Sequence, residues 1–383
     1  MNFLDNKRMN NVLVIGGSGT MGRPLVSALY EKGYDLSVVC RKVVEDDRKS
    51  IRYFYGDAKD LNFISYILKD YYDVIIDFCW YSSKEFEANY QTLLKNTAQY
   101  ICLSSAAVYS DIPEPKDEKA PRYIETDPPI EGTAKYNWYC YEKARIENIL
   151  TQSEYHNWTI VRPGTTMNYN HFGWGHDWNA DWVLRIMQGK KVIVPTDMLK
   201  YKFSLSSGGH VMTMLLSLIG NEKAIGEIYN VNSPEVFSWG ELLKLYCELL
   251  ENVGYVIKIK EVHSQELIER NPRLKYWYER ARLLDRVFDS RKIFSLMDKS
   301  VFSPPMRSLL EKWTNDFIRA NKTMKIADSA LWHTAWMDRI TGDSTPCKYF
   351  CSISSYTKYL VMRYTPVLWN MLFYHLHKNK KVL

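Results

Sequence analysis

The chain has 383 residues, enough for a large buried core and more than one compact domain usually needs, so one large α/β unit with a smaller lobe is expected. Its composition, 46% hydrophobic and 25% charged, is ordinary for a globular protein, and no apolar run reaches the roughly 18 residues of a spanning helix. The net charge of +6 comes entirely from residues 344–383, because residues 1–343 are balanced, which argues against a broad nucleic-acid-binding surface on the body.

The seven Cys residues form an odd set without regular spacing, and the start, Met1-Asn2-Phe3-Leu4-Asp5, does not resemble a signal peptide. Reduced thiols and a cytoplasmic location are therefore expected.

The first predicted elements are a strand, a tight turn and a helix. The apolar run Val12–Ile15 leads into the turn Gly16-Gly17-Ser18-Gly19-Thr20-Met21-Gly22, and apolar residues then recur at helical spacing. Gly16 permits the turn, Gly19 lets the backbone approach a pyrophosphate, and Gly22 allows close helix packing. The following helix N-terminus offers N–H groups to phosphates. The alternative is a glycine-rich turn without a ligand.

Strands and helices alternate after this turn. Further strands are predicted at 35–40, 51–55, 74–78, 99–104 and 158–162, and helices at 61–68, 85–94 and 136–150. Beyond Arg162 the alternation fades, with helices at 182–188, 211–219, 239–250, 273–284 and 306–320 and strands at 191–194, 202–205 and 227–231. The pattern predicts a Rossmann-type doubly wound parallel sheet in residues 1–165, a smaller α/β substrate-binding lobe in 166–320 and a helical C-terminal extension in 321–383.

The second predicted strand ends at Cys40-Arg41-Lys42, where a dinucleotide site usually places an acid for the adenosine ribose. Arg41 and Lys42 suit a 2′-phosphate instead, which favours NADP over NAD, although they are equally well explained as solvated turn residues. Asp57 follows the third strand, where it either accepts a bond from the adenine amine or stabilises a turn.

A serine and a Tyr-Lys pair form the chemical constellation. The fifth strand leads into Ser105, and the next helix carries Tyr139 and Lys143 at i and i+4, on one helix face. A cation beside a phenol favours the phenolate, which an acid or base working near neutrality needs. Ser105 is placed to hold the substrate oxygen.

These residues resemble those of the extended short-chain dehydrogenase/reductase superfamily, in its NAD-dependent epimerase/dehydratase group. The resemblance covers residues 11 to about 320 and includes Gly16-x-x-Gly19-x-x-Gly22, Ser105-Ala106-Ala107-Val108-Tyr109, Tyr139-x-x-x-Lys143, Arg162-Pro163-Gly164, Ile228-Tyr229-Asn230-Val231 and Asp289-Ser290-Arg291-Lys292.

The resemblance implies a role for each landmark. The turn from Gly16 to Gly22 would hold the pyrophosphate, Tyr139 would be the acid/base, Lys143 would bind the nicotinamide ribose and Ser105 would polarise the reacting oxygen. Further cofactor contacts are implied for Phe78, Cys79, Trp80, Arg162 and Pro163. The chain departs from the family at Cys40, which replaces the usual acid, and at Trp80, which replaces a small residue.

The resemblance further implies an NAD(P)-dependent enzyme that acts on a secondary alcohol or ketone of a nucleotide-linked sugar. Resembling 4,6-dehydratases carry an Asp-Glu pair directly after the hydroxyl residue, where this chain has Ala106 and Ala107, so epimerisation or reduction is expected unless an acid from residues 111–127 substitutes. A homodimer is expected. The alternative is a non-catalytic or RNA-binding relative that keeps the dinucleotide as a structural ligand.

Two further segments were weighed. His171, His176 and Asp177 have irregular spacing on a Gly-rich loop, so substrate contact or solvation is favoured over a metal site, and no metal is expected. Residues 366–376 predict a short helix followed by the basic residues Lys378, Lys380 and Lys381, which favours packing on the body or a partner subunit over contact with a membrane surface. The segment from residue 344 is predicted to be dispensable for chemistry.

Overall fold

The computed structural model describes residues 10–19, 21–113, 115–169, 171–175, 177, 179–297 and 302–366. The strands of the described part are β1 (Asn11–Ile15), β2 (Asp35–Cys40), β3 (Arg52–Tyr55), β4 (Tyr72–Asp77), β5 (Thr97–Leu103), β6 (Trp158–Arg162), β7 (Thr165–Met167), β8 (Lys191–Pro195), β9 (Lys202–Ser207), β10 (Glu227–Asn230), β11 (Val236–Ser238) and β12 (Lys258–Val262). The α-helices are α1 (Gly22–Glu31), α2 (Leu61–Ile67), α3 (Ser83–Lys95), α4 (Tyr123–Thr126), α5 (Tyr139–Thr151), α6 (Asp181–Met187), α7 (Gly208–Leu218), α8 (Trp239–Glu251), α9 (Ser264–Arg270), α10 (Lys275–Trp277), α11 (Arg291–Phe294), α12 (Met306–Ala320), α13 (Leu331–Thr341) and α14 (Ile353–Tyr364).

The largest sheet of the described part is parallel and has the strand order β10-β6-β5-β4-β1-β2-β3. The order reverses at β1, which pairs with β2 on one side and with β4 on the other. Open α/β sheets bind ligands outside the carboxyl ends of the strands at such a switch point. The predicted Rossmann-type doubly wound sheet is therefore confirmed, and its switch point lies at the end of β1.

Alternate residues of β1 enter two different cores. Val12 and Val14 pack in a cluster that includes side chains of α1 and α7. Leu13 and Ile15 pack in a second cluster with side chains of α2, α3 and α5. Because both faces of the strand are buried, the strand consists of a continuous apolar run rather than an alternating pattern.

The chain separates into two compact units that are discontinuous in sequence. The first consists of the described residues of Met1–Asn168, Lys200–Trp239 and Tyr276–Leu309, and the second of those of Tyr169–Leu199, Gly240–Lys275 and Leu310–Leu383. This grouping follows contacts rather than chain order, so it differs from the linear division expected from the sequence. Segments 200–239 and 276–309 return to the unit that holds the large sheet.

The second unit contains the parallel strand pair β8 and β12 and a small core formed by the C-terminal residues. Leu331, Phe350 and Tyr359 are among the buried members of this core, so residues 344–364 form part of the folded unit rather than a separable tail. The Lys-rich residues 378–381 and the predicted helix from 367 onward lie outside the described residues. No helix in the described ranges is long and apolar enough to cross a membrane.

Several predicted boundaries agree with the structure and one predicted helix does not. Predicted elements 35–40, 158–162 and 306–320 coincide with β2, β6 and α12. The helix predicted over 273–284 is wrong as a continuous element, because it consists of a 3₁₀ turn at Pro272–Leu274, the short α10 and a π-helical turn at Tyr278–Arg282. The amide of Leu283 donates to the carbonyl of Tyr278, and this wider i→i+5 hydrogen bonding interrupts the α-helical repeat.

Candidate dinucleotide and active site

The glycine turn after β1 has the geometry that the spacing predicted. Gly16 has φ +78°, a left-handed conformation that favours glycine, and its carbonyl accepts from the amide of Gly19 at 3.0 Å. A Cβ on Gly22 would lie 2.6 Å from the carbonyl oxygen of Gly16 and 2.7 Å from Cα of Gly17. Gly22 is therefore required where α1 packs on the turn itself, while Thr20 of the same motif lies outside the described residues.

A cavity of about 410 Å³ opens at the carboxyl ends of β1, β2 and β4. It is lined by eight of the predicted cofactor residues or their neighbours in the same turns, Gly16, Ser18, Gly19, Arg41, Asp57, Phe78, Cys79 and Trp80. A Cβ on Gly19 would meet only the carbonyl oxygen of Gly16, at 3.3 Å, so this position faces open space in the cavity. The structure therefore brings the turn, the end of β2 and the β4 turn around one space.

Other predicted cofactor residues lie elsewhere. Gly17 lines a neighbouring cavity of about 800 Å³ together with Arg23 and Arg48, and its own Cβ position is filled by the side chain of Val38 at 2.6 Å. Met21 and Gly22 belong to the start of α1 and do not line the 410 Å³ cavity.

Asp57 acts locally as a turn residue, because its carboxylate accepts from the amide of Lys59 at 3.1 Å. The side chain is nevertheless exposed at the cavity wall, so both interpretations of this residue apply to the structure. Sequence reasoning missed Lys59, which lines the same cavity, pairs with Glu85 at 3.0 Å and places its ammonium 4.7 Å from the Trp80 ring centroid. Its position two residues after Asp57 was the available signal.

A buried carboxylate lies beneath the β4 turn. Asp77, 2% exposed, accepts hydrogen bonds from the amide of Cys79 at 2.8 Å and from the hydroxyls of Tyr81 and Tyr100 at 3.0 and 2.9 Å. Burial raises the pKa of Asp77 to about 6, although these donors and the charge of Lys143 oppose the shift. Asp77 thus fixes the backbone of the segment that lines the cavity.

The Tyr-Lys pair lies on α5 as predicted. The Lys143 ammonium is 6.0 Å from the Tyr139 ring centroid and donates to the carbonyl oxygen of Leu103, at the end of β5, at 2.8 Å. The Ser105 hydroxyl oxygen accepts from the amide of Ala107 at 3.1 Å. Lys143 therefore links the helix that carries Tyr139 to the strand end that carries Ser105, at the same edge of the sheet.

The Ser105 turn is held by a residue from a distant part of the chain. Arg286, 6% exposed, donates to the carbonyl oxygen of Tyr109 at 3.0 Å and to that of Ala106. Its own amide donates to Lys202 at 2.7 Å, which fixes its backbone beside β9. No local pattern in the sequence indicates this contact, since 180 residues separate Arg286 from Ala106.

Arg162 has a different role from the implied cofactor contact. Its guanidinium, 2% exposed, forms two hydrogen bonds with Glu147, at 2.8 and 2.7 Å, and a third with the hydroxyl of Tyr109 at 2.9 Å. The carbonyl of Pro163 accepts from the amide of Ala106 at 2.9 Å. Both residues hold the strand ends together from the interior, and their printed contacts are all with protein groups.

The histidine-containing loop is only partly described. His176 lies outside the described residues, Asp177 pairs with His333 at 2.8 Å, and burial lowers the pKa of His171. Among the described residues, no group of three or more His, Cys, Asp or Glu side chains is arranged to hold a metal ion.

The fold and this site define a dinucleotide-binding α/β protein with a Ser-Tyr-Lys constellation at the edge of its sheet. The family model for the NAD dependent epimerase/dehydratase family matches residues 12–231, and the chain belongs to this family. Solved structures of similar fold include UDP-glucose 4-epimerase of Thermotoga maritima with UDP-glucose, at 16% identity and a TM-score of 0.61 over 81% of this chain and 99% of that one. The dTDP-glucose 4,6-dehydratase DesIV of Streptomyces venezuelae with NAD gives 15% identity and a TM-score of 0.61 over 81% and 97%.

A curated relative carries a name of another kind. The chain is 28% identical over 257 residues to the chloroplast stem-loop binding protein of 41 kDa b of Arabidopsis thaliana. The match covers 61% of this chain and 61% of the length of that relative.

Proposed function

We propose that this chain is an NAD(P)-dependent epimerase or ketoreductase that acts on a secondary alcohol or ketone of a nucleotide-linked sugar, with Tyr139 as acid/base. The observation that carries the proposal is the 410 Å³ cavity, which gathers Gly19, Arg41 and Phe78 at the switch point of the sheet. The family and the nucleotide-sugar enzymes among the structures of similar fold support it.

The residues present fit a dinucleotide. The open Cβ position of Gly19 leaves room for a pyrophosphate beside the backbone of the turn. When bound, the nicotinamide ring supplies acceptance and donation of a hydride. In this proposal Lys143 holds the nicotinamide ribose, the Ser105 hydroxyl donates to the substrate oxygen, and the Tyr139 hydroxyl exchanges the proton of that oxygen.

Gly19→Val tests the binding site. The added side chain would project into the cavity, so calorimetry should show loss of NAD(P) affinity while circular dichroism shows a folded protein. Undiminished affinity in the folded variant would show that the dinucleotide binds elsewhere.

Tyr139→Phe tests the acid/base. We expect turnover to disappear while NAD(P) still binds, because the ring remains and only the hydroxyl is lost. Tyr141→Phe on the same helix is the matched control, because the Tyr141 hydroxyl donates to the carbonyl of Asp127 at 2.7 Å rather than facing Lys143. Equal loss in both variants would remove Tyr139 from its assigned role.

We also propose that NADP is preferred over NAD. Arg41 is exposed at the cavity wall, and Arg23 lines the adjoining 800 Å³ cavity, so two guanidinium groups flank the turn on the side where β2 ends. A 2′-phosphate suits such groups. Titration of both cofactors against wild type and Arg41→Ala decides, and an unchanged preference removes Arg41 from the argument.

The reaction proposed is epimerisation or reduction rather than dehydration. Ala106 and Ala107 cannot move a proton, and Asp127 of the nearby acidic loop is engaged with Lys135 and Arg280, each at 2.6 Å. A panel of nucleotide sugars followed by mass spectrometry tests this. Unchanged mass or a gain of about two mass units supports the proposal, and a loss of about 18, the mass of the water that an acid and a base eliminate together, contradicts it.

The second candidate function is stem-loop binding with the dinucleotide kept as a structural ligand. The name of the Arabidopsis relative favours it. Fluorescence polarisation with a labelled RNA stem-loop, with an unstructured RNA of equal length as control, separates the two functions. Structure-selective binding without turnover of any nucleotide sugar would favour this second candidate.

A further inference from the structure

A cavity of about 240 Å³ lies within the second unit, apart from every residue assigned to the proposed reaction. It is lined by α6 and by the segment that leads into α13. Arg185 and Lys190 line one part of it, each with a side chain no more than 7% exposed, and Lys325 lines another part at the surface. Buried cations at a cavity wall require a compensating charge.

Part of this compensation comes from one buried aspartate. Arg185 Nη1 lies 2.7 Å and Lys190 Nζ 3.1 Å from Oδ1 of Asp338, which is fully buried. Asp338 also accepts hydrogen bonds from the hydroxyls of Thr345 and Tyr359, at 2.6 and 2.7 Å. Both cations are therefore held in fixed positions, which reduces the entropy that a ligand must pay to organise them.

The network around Asp338 has one more cation than it has carboxylates. Its second acid, Asp343, lies 3.3 Å from Arg185 Nη2 and 3.9 Å from Lys191 Nζ. Three cations thus share two carboxylates. Burial and the nearby charge of Arg185 lower the pKa of Lys190 to about 8 despite its contact with Asp338, which agrees with an excess of positive charge at this wall.

The acid in the cavity lining does not cancel this excess. Burial raises the pKa of Asp181, which disfavours its charged form. Next to it, His333 pairs with Asp177 at 2.8 Å; burial opposes the charge of His333, but the Asp177 carboxylate outweighs it and raises the pKa. This group is therefore close to neutral by itself.

We propose that this cavity binds a small organic phosphate. The phosphoryl oxygens would lie against Arg185 and Lys190, where guanidinium and ammonium groups supply charge-assisted hydrogen bonds. The hydroxyls of Ser329 and Thr334 line the same space, and Met324 and Ile326 provide an apolar wall for the organic part. The site is distinct from the glycine turn of the first unit.

The test uses phenyl phosphate as the probe and the full-length chain. Isothermal titration calorimetry measures its affinity with and without saturating NADP, and phenol serves as the neutral analogue. We expect saturable binding of phenyl phosphate that NADP does not displace, and none of phenol. Displacement by NADP would place the phosphate in the dinucleotide cavity and overturn the proposal, as would the lack of saturable binding.

Variants locate the site. Lys190→Gln should weaken the affinity about tenfold or more, because it removes a charge-assisted hydrogen bond in a buried wall. Lys325→Ala, at the surface, should weaken it about two- to fivefold without affecting folding. Lys358→Ala is the matched control, since Lys358 is exposed in the same unit, pairs with Asp328 and does not line the cavity.

If Lys190→Gln does not fold, Lys325→Ala and its control decide. Unchanged affinity in Lys325→Ala, or an equal loss in Lys358→Ala, overturns the site. The result does not depend on the proposed enzymatic function, because neither turnover nor dinucleotide binding enters the measurement.

Discussion

Replacement of Glu147 by Gln is expected to destabilise the protein strongly. Glu147 is fully buried and accepts from Arg162 twice, from Arg122 at 3.0 Å and from the hydroxyl of Ser104. Gln keeps the shape of the side chain but removes the charge that neutralises Arg162, and its amide N–H groups face other donors. Breaking a buried ion pair from one side costs about 3–5 kcal/mol, so we expect the free energy of unfolding to fall by that amount.

Urea unfolding followed by circular dichroism measures the effect, and Glu125→Gln is the matched control. Glu125 pairs with the same Arg122, but its side chain is 47% exposed, so its loss should cost less than about 1 kcal/mol. Burial works against the charge of Glu147, but Arg162 outweighs it and lowers the pKa. The stabilisation is thus present above the unfolded pKa of about 4.3 and is lost at lower pH, where the variant and wild type should converge.

A cost for Glu147→Gln as small as that of the control would refute the reasoning. It would mean that Arg162 finds water or another acceptor when Glu147 is neutral, so that the strand end before Ser105 does not depend on this network. Convergence of the two proteins at high instead of low pH would contradict the assigned direction of the pKa shift.

Three further predictions concern the turn, the β4 carboxylate and the C-terminal residues. Gly22→Ala should cost about 1–3 kcal/mol of stability, measured by urea unfolding, because its methyl would overlap backbone atoms of the turn, while Gly19→Ala should be close to neutral in stability and weaken NAD(P) binding. The buried Asp77, with a pKa of about 6, should contribute stability below pH 4 that is lost as pH rises through 6, a change on the order of 3 kcal/mol that is absent in Asp77→Asn. Truncation after residue 366 should leave NAD(P) affinity within about twofold of wild type in calorimetry, whereas truncation from residue 344 removes the Thr345 and Tyr359 donors to Asp338 and should destabilise the second unit.

The parts of the fold that the sequence predicts best are those governed by local rules. The β1 strand, the glycine turn and the start of α1 follow from apolar burial on both faces and from the backbone demands on Gly16 and Gly22. Strands β7, β11 and β12 were not predicted, because they are three to five residues long and β12 is mostly exposed, so they carry little apolar pattern. The discontinuous units also escape prediction, since they depend on which distant segments pack together.

The candidate site divides in the same way. Tyr139 and Lys143 share a face because of helical spacing alone, which the sequence states directly. Which charged groups pair in the interior is a different matter, because a buried cation takes whichever carboxylate the tertiary structure brings within reach.

Arg162 and Arg286 show what this means for assigning function from motifs. The Arg162-Pro163-Gly164 motif places a backbone correctly at the end of β6, yet the guanidinium binds Glu147 in the interior rather than facing the cavity. Arg286 has no motif that points to the Ser105 turn, yet it holds two carbonyls of that turn. A motif therefore fixes where the chain goes, while the role of a charged side chain follows from the acceptors that surround it once it is desolvated.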